Sequence, residues 1–220
     1  MKIIFIRHGE PDYENDTLTE KGFVQAELVS QRLLEEGISE IYASPLGRAQ
    51  DTARPLSEKT GLPVKTLGFM RELTWGSIDG GPVFSDGHPW DISDEMAKQG
   101  MDLTRTDWET NEFYRNNKAV SSVRTVEEGL DKWLAGFGYR RNGLYYEHDN
   151  SEDEHKIVAL FSHGGSSTAA IAHMLNLPFP YAIAMLHIDF TGITVLRLDK
   201  KKGAGVLPCM KLANDTKHLK

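Results

Sequence analysis

Cysteine is almost absent from this chain of 220 residues, in which Cys209 is the only one. An intramolecular disulfide is therefore impossible. No apolar run approaches the ~20 residues that a membrane span requires. After Lys2 only four apolar residues precede Arg7, so we expect no signal peptide. These absences favour a cytoplasmic protein with no membrane partner.

An excess of positive charge is missing as well. The formal net charge is −7, which argues against general attraction to nucleic acid or to an anionic membrane. An anionic substrate would therefore need a local cationic pocket. The chain has no HExxH, no Cys/His cluster, no GxxxxGK[ST] and no GxGxxG after its first strand, so we expect no metal and no cofactor. Oligomeric state is left open.

The fold is indicated by short apolar runs that alternate with helical patterns. Apolar residues make up 40% of the chain and charged residues 26%, as in globular proteins. Strands are predicted at 2–6, 38–43, 63–67, 157–161, 185–190 and 193–198. Helices are predicted from Thr19 to Gly37, from Ser44 to Gly61, and at 123–137 and 166–175. This alternation predicts an α/β fold, a three-layer α/β/α sandwich with a mostly parallel central sheet.

We expect a single domain over 1–220, with an inserted cap at about 74–121. The cap region has few strand signals and is rich in glycine, proline and tryptophan. Trp75, Trp90 and Trp108 are interpreted as packing residues first, and His88 as a candidate substrate contact. Residues 147–154 are predicted to form a solvated connection, and the tail from 200 to be frayed.

Two predicted strands end in the same way, in a histidine followed by a glycine. These are His8-Gly9, preceded by Arg7, and His163-Gly164. Because carboxyl ends of parallel strands share one edge of a sheet, where ligands bind, we expect the histidines to converge. Arg48 follows the second strand, in the first turn of a helix whose N-terminus favours anions.

Arginine forks match phosphate oxygens, and two imidazoles suit a nucleophile and a charge stabiliser. The residues therefore predict a pocket for a phosphoryl group. Glu72 follows the third strand and is the candidate proton donor, because a shielded carboxyl group has a raised pKa.

Four blocks of the chain resemble the signature blocks of the histidine phosphatase superfamily, also called phosphoglycerate mutase-like, and favour its phosphatase members. They are Arg7-His8-Gly9-Glu10, Ser44-Pro45-Leu46-Gly47-Arg48-Ala49, Arg71-Glu72-Leu73 and Ser162-His163-Gly164-Gly165. The segment 18–26 resembles the superfamily's first-helix motif. The blocks occur in the superfamily's order, and the resemblance runs from residue 3 to about 198.

The resemblance implies a metal-independent phosphomonoester hydrolase that acts on a small phosphorylated metabolite. It implies that His8 is the nucleophile, phosphorylated transiently, and that Glu72 donates the proton. Arg7, Arg48 and His163 would hold the phosphate, and His163 is also counted as catalytic. Candidate substrate-binding residues are Glu10, Tyr13, Asn15, His88 and Gly164.

A cofactor-dependent phosphoglycerate mutase is the alternative within the same resemblance. The mutase pattern has a Ser and then a Trp-Asn pair where this chain has Pro11, Tyr13 and Glu14, and Gly-Asn where it has Gly164-Gly165. Glu14 would repel a second phosphate if it faced the pocket. Both departures favour hydrolysis. Two other classes remain open: a non-catalytic phospholigand-binding protein, and a proton-transfer or lyase-type enzyme.

Overall fold

The structure is a computed structural model and describes residues 1–149, 155–199 and 205–220. Its described strands are β1 (Lys2–Arg7), β2 (Pro11–Asp12), β3 (Thr17–Leu18), β4 (Glu40–Ala43), β5 (Val64–Thr66), β6 (Tyr139–Asn142), β7 (Tyr145–His148), β8 (Ile157–Ser162), β9 (Ile193–Arg197) and β10 (Cys209–Asp215). The described α-helices are α1 (Glu20–Leu33), α2 (Gly47–Thr60), α3 (Pro89–Lys98), α4 (Lys118–Ala135), α5 (Gly164–Leu175) and α6 (Phe179–Met185). None of these helices is long and apolar enough to cross a membrane.

A six-stranded sheet forms the centre, in the order β10-β9-β1-β8-β4-β5. Strands β1, β8, β4 and β5 pair in parallel, whereas β9 and β10 are antiparallel to their neighbours. Alternate residues of β1 enter different cores: Ile3 and Phe5 pack with α4, whereas Ile4 and Ile6 pack with α1 and α2. Strands covered on both faces are apolar throughout, which explains the runs in the sequence. The predicted mostly parallel sheet with flanking helices is confirmed.

Local capping signals explain the first helices. The Thr19 hydroxyl accepts a hydrogen bond from the Gly22 N–H at the start of α1, and Gly37 closes the following 3₁₀ turn in the left-handed conformation. The prediction for α2 is wrong at its start: the cap is Leu46, and neither Ser44 nor Pro45 belongs to the helix. Ser44 instead directly follows β4, and its hydroxyl pairs with His163 Nε2 across the sheet edge.

Two predictions in the C-terminal half are wrong, and a third is tested only at its first residues. The strand expected at 185–190 is the end of α6 and a loop, because Phe179, Ala182 and Ile183 bury one face of a helix that begins at a proline. The described tail is not frayed, since β10 pairs with β9. Residues 147 and 148 lie in the β6–β7 hairpin, and 150–154 lie outside the described residues.

Two glycines bring the start of α1 against the loop that follows β1. A Cβ atom on Gly9 would lie 2.6 Å from the Gly22 carbonyl oxygen, and one on Gly22 would lie 2.2 Å from that of Glu10. Any side chain at either position would force the backbones apart. This contact fixes the chain beyond β1, where the polar residues of the first block lie.

Candidate active site

Both histidines of the repeated strand-end pattern lie at the carboxyl edge of the parallel strands, side by side. β1 and β8 are adjacent and in register, with Arg7 opposite Ser162. His8 and His163 are the residues that come directly after this pair. Their ring centroids lie 5.1 Å apart, and both side chains are buried. The structure therefore brings together the two imidazoles that the sequence predicts to converge.

His8 has one nitrogen bound and one free to react. Its Nδ1 lies 2.7 Å from the carbonyl oxygen of its neighbour Gly9. A carbonyl only accepts, so Nδ1 carries the proton and Nε2 keeps its lone pair. Burial lowers the pKa of His8 to about 3, and the positive charges of Arg7 and Arg48 act in the same direction. The ring is therefore neutral at physiological pH and able to act as a nucleophile.

His163 has the opposite arrangement. Its Nε2 lies 2.7 Å from the Ser44 hydroxyl, whose oxygen also accepts from the Leu46 N–H at 3.3 Å. The hydroxyl can pair with either tautomer of His163, and the tautomer in which it donates to Nε2 has the proton of His163 on Nδ1. Nδ1 is buried and has no hydrogen-bond partner among the described residues. Burial holds the pKa of His163 well below its usual range, and the charges of His8, Arg48 and Arg7 add to this.

The two arginines flank this pair and are held by different elements. Arg7 Nη1 donates to the Ile188 carbonyl at 2.7 Å, and its guanidinium carbon lies 4.3 Å from the centroid of the Phe190 ring. Arg48 Nη1 donates to Asp16 at 2.6 Å. The Nε atoms of both arginines are buried without a partner in the part of the chain that is described. An incoming anion would satisfy these N–H groups.

Asp16 belongs to the turn between β2 and β3, and it fixes the start of α2. One carboxylate oxygen binds Arg48 and the other accepts from the Gly47 N–H at 2.8 Å. Asp16 adopts a φ of 48°, in the left-handed region. Sequence reasoning missed both Asp16 and Ser44, because their partners lie 32 and 119 positions away and neither bond leaves a local signal.

Glu72 lies at the N-terminus of α5. Its carboxylate accepts from the backbone N–H groups of Leu73, Gly165 and Ser166 at 2.9, 3.3 and 3.0 Å. Burial raises the pKa of Glu72, against the opposing effect of these three donors. A Cβ atom on Gly165 would lie 2.7 Å from the carboxylate, so only glycine permits this approach. A carboxyl group with a raised pKa can donate a proton.

A cavity of about 570 Å³ joins both arginines, His8 and Glu72 to residues of the predicted cap and of the loop after α6, whereas His163 lies buried behind its lining. Its lining comprises Arg7, His8, Tyr13, Arg48, Glu72, Trp75, His88, Trp90, Gly164, Thr168, Leu186, His187 and Ile188. Trp75 and Trp90 thus face the cavity, contrary to their interpretation as packing residues. Trp108 packs on Tyr114 and Phe179, as interpreted. His187 was missed, because its loop was taken for a strand.

The candidate substrate-binding residues divide into two groups. Tyr13, His88 and Gly164 line the cavity. Glu10 does not: its carboxylate is bound by the Thr19 hydroxyl at 3.0 Å and by Lys21 at 2.7 Å. Asn15 is exposed and donates to Asp12 at 2.8 Å. Both side chains are occupied by local bonds, so the structure places Glu10 and Asn15 outside the cavity.

This chain is similar in sequence and in fold to several known proteins. The chain is 35% identical over 150 residues to a protein of Yersinia pestis named probable phosphoglycerate mutase GpmB, covering 63% of this chain and 70% of that one. The fold is similar to that of a mycobacterial glucosyl-3-phosphoglycerate phosphatase in complex with VO3, with a TM-score of 0.64, 22% identity and coverage of 98% and 99%. It is also similar to a phosphoserine phosphatase mutant from Entamoeba histolytica in complex with phosphoserine, with a TM-score of 0.62, 22% identity and coverage of 99% and 98%. The sequence profile of the histidine phosphatase superfamily, branch 1, matches residues 3–208, and the chain belongs to that superfamily.

Proposed function

We propose that this protein is a metal-independent phosphomonoester hydrolase that acts on a small phosphorylated metabolite through a phosphohistidine at His8. The observation that carries the proposal is the free Nε2 of His8 beside three buried nitrogens, on Arg7, Arg48 and His163, that have no partner in the described part of the chain. Such a set suits the equatorial oxygens of a phosphoryl group in transfer, with protein cations supplying the charge.

In the first half-reaction, His8 Nε2 attacks phosphorus in line with the ester oxygen. The N–P bond forms, the P–O ester bond breaks, and Glu72 gives its proton to the departing alcohol. In the second, Glu72 takes a proton from water, whose oxygen attacks phosphorus. The P–N bond breaks, phosphate is released, and His8 returns to its neutral form. Glu72 thus serves as acid and then as base.

The first test replaces His8 with alanine and follows p-nitrophenyl phosphate in the presence of EDTA. Without the nucleophile we expect turnover to fall by about a thousandfold or more. Wild type quenched with detergent at alkaline pH, where the P–N bond survives, should carry label from a ³²P-labelled phosphomonoester, and His8→Ala should carry none. Hydrolysis retained by His8→Ala, or an absolute requirement for Mg²⁺, would contradict the proposal. Absence of turnover with tight phosphate binding would identify the non-catalytic alternative.

A second variant, Glu72→Gln, separates the two half-reactions. p-Nitrophenolate is a good leaving group and needs no proton, so the phosphohistidine should still form. Water would then lack its base, and labelled protein should accumulate above the wild-type level. Equal labelling of wild type and Glu72→Gln, at equal turnover, would remove Glu72 from the mechanism.

A phosphoglycerate mutase is the second candidate, because the 35%-identical relative carries that name. Glu14 is exposed and does not line the cavity, so repulsion by Glu14 does not argue against it. Arg7 and Arg48 are the only arginine or lysine residues in the described lining, and both lie at the phosphoryl site. Assay of 2- and 3-phosphoglycerate interconversion with 2,3-bisphosphoglycerate decides between the two activities, and we expect phosphate release instead.

A further inference from the structure

Three rings from the predicted cap form one side of the cavity, which we call the aromatic wall: Trp75, His88 and Trp90. The His88 ring lies over Trp90, with centroids 5.0 Å apart and an angle of 31° between their planes. Trp75 meets both rings edge-on, at 5.3 Å from His88 and 6.2 Å from Trp90. The rings pack against one another, so they present a continuous surface to the cavity.

The aromatic wall is held in place by its own segment. His88 caps α3, and its Nδ1 lies 3.2 Å from a carboxylate oxygen of Asp91. Ser85 hydrogen-bonds the same oxygen. Ser85 and the next residue, Asp86, adopt φ values of 46° and 51°, which non-glycine residues rarely occupy. The backbone therefore accepts strain to keep the ring of His88 beside Trp90.

The aromatic wall adjoins the phosphoryl site directly. A Cβ atom placed on Gly164 would lie 3.5 Å from the Trp90 ring and 3.7 Å from the guanidinium carbon of Arg7. Trp90 and Arg7 are thus neighbours across the glycine that begins α5. The alcohol of an ester whose phosphate binds Arg7 can therefore reach Trp90.

The chemistry of the remaining lining limits what that alcohol carries. The cavity of about 570 Å³ lies within the roughly 300–1,000 Å³ range of sites for drug-sized ligands, which leaves ample room beyond a phosphate. Leu186 and Ile188 line it as well. Among the described lining residues, no lysine or further arginine is available for a second anionic group. A carboxylate or second phosphate would lose its hydration without gaining an ion pair.

We propose that the aromatic wall selects phosphomonoesters whose alcohol carries a flat, uncharged ring, and that Trp90 and Trp75 determine this specificity. The proposal rests on the proposed function for its phosphate site. It concerns binding of the alcohol, however, and does not depend on turnover.

Binding is therefore measured by calorimetry in the His8→Ala background, where the ester is not consumed. Four ligands are compared: benzyl phosphate, cyclohexylmethyl phosphate, ethyl phosphate and 3-phosphoglycerate. Because stacking on an aromatic side chain contributes about 1–3 kcal/mol, we expect benzyl phosphate to bind about tenfold or more tightly than ethyl phosphate. Its flat ring should also give about threefold tighter binding than the cyclohexyl ring. 3-Phosphoglycerate should bind no more tightly than ethyl phosphate.

Substitutions in the aromatic wall then test the assignment to residues. In the same background, Trp90→Leu should weaken benzyl phosphate about tenfold and ethyl phosphate by less than about threefold, because only the ring is stacked. Trp75→Leu should act in the same direction, whereas Trp90→Phe should retain most of the preference. Trp108→Phe is the matched control, since Trp108 packs inside the cap and does not line the cavity.

Three results would overturn the selection: equal affinity for benzyl and ethyl phosphate, equal losses for both ligands in Trp90→Leu, or tightest binding of 3-phosphoglycerate. Failure of the proposed function is read separately, from the turnover and labelling of the enzyme with His8 intact. Preference for benzyl phosphate without hydrolysis of any ester would support the specificity of the aromatic wall and contradict the proposed hydrolase activity.

Discussion

At the scale of single residues, each imidazole of the candidate site has one nitrogen occupied and one free. The Gly9 carbonyl holds the proton of His8 on Nδ1, whereas the Ser44 hydroxyl occupies Nε2 of His163, whose Nδ1 has no partner among the described residues. In the proposed mechanism, His8 uses its bare Nε2 as the nucleophile, and His163 presents Nδ1–H to the phosphoryl group. Neither requires a charged imidazole, in agreement with the lowered pKa of each.

Two adjacent glycines give a matched pair of variants. Gly165→Ala would place Cβ 2.7 Å from the Glu72 carboxylate, whereas Gly164→Ala would place it in ordinary contact at 3.5 Å or more. Displacement of a general acid costs about 10²-fold or more, so Gly165→Ala should lower kcat for an alkyl phosphate by about that factor. Gly164→Ala should change kcat by less than about fivefold.

Steady-state assays with an alkyl phosphate and with p-nitrophenyl phosphate check this pair. The good leaving group should show a smaller loss in kcat/KM, which covers the steps up to departure of the alcohol, because that departure requires no proton. Equal kcat values for the two alanine variants on the alkyl phosphate would count against the role of Glu72.

The residues that could be predicted from sequence are those marked by a local pattern. Arg7, His8 and His163 end apolar strands, and Arg48 begins a helix, so their convergence follows from parallel pairing alone. Ser44, Asp16 and the two cavity tryptophans act through contacts between distant segments. The periodicity of the sequence does not indicate such contacts. A tryptophan that packs inside a cap also cannot be told from the sequence apart from one that faces a cavity.

At the scale of elements, the segment that carries Glu72 is positioned by α4. Gly129 lies inside that helix, and a Cβ atom there would lie 2.2 Å from the Phe69 ring. Phe69 belongs to the 3₁₀ turn Gly68–Met70, just before Arg71 and Glu72. Helix α4 therefore approaches this turn more closely than a side chain at position 129 would allow.

Gly129→Ala tests this contact. Alanine normally stabilises a helix interior by about 1 kcal/mol relative to glycine. Here the overlap with Phe69 should reverse the sign, and we expect the free energy of unfolding to fall by about 1–3 kcal/mol. In a Phe69→Ala background the same substitution should become neutral or stabilising. Urea unfolding of wild type, the two single variants and the double variant measures the effect of Gly129→Ala in each background. Destabilisation of equal size in the two backgrounds would refute the contact.

Elements were predictable where burial was complete on both faces. Strands β1 and β8 and helix α5 were found because apolar runs and capping residues agree. Helix α6 was not predicted, since seven residues give less than two helical turns, and the strand expected at 185–190 overlaps it only at Met185. The strand β10 was missed because an edge strand, half-exposed along its length, carries little apolar signal.

At the scale of the whole molecule, a net charge of −7 surrounds a site built from cations and buried imidazoles. Buried neutral imidazoles link the stability of the fold to pH. The unfolded chain binds a proton at His8 with the ordinary pKa of 6.5, whereas the folded chain does so only at about 3. Between these values the unfolded state holds more protons, so stability falls as the pH drops below 6.5.

His8→Asn removes this linkage. Between about pH 7.5 and about pH 5.5, a group with these two pKa values lowers the free energy of unfolding by about 1.4 kcal/mol. The variant should therefore lose about that much less stability than wild type over the same interval. Urea denaturation at the two pH values gives the difference, and parallel losses in the two proteins would show that the folded pKa of His8 is near its ordinary value.

The position of His8 on the floor of the cavity has a stereochemical consequence. Its ring is backed by His163 and by Phe190, whose ring centroid lies 5.7 Å away, so phosphorus is accessible only from the opposite side. In the proposed mechanism, the alcohol leaves by that side and water enters by it. Each in-line displacement inverts the phosphorus centre, and two inversions restore it. A phosphorothioate ester made chiral with two oxygen isotopes, and hydrolysed in water that carries the third isotope, would yield inorganic thiophosphate of retained configuration.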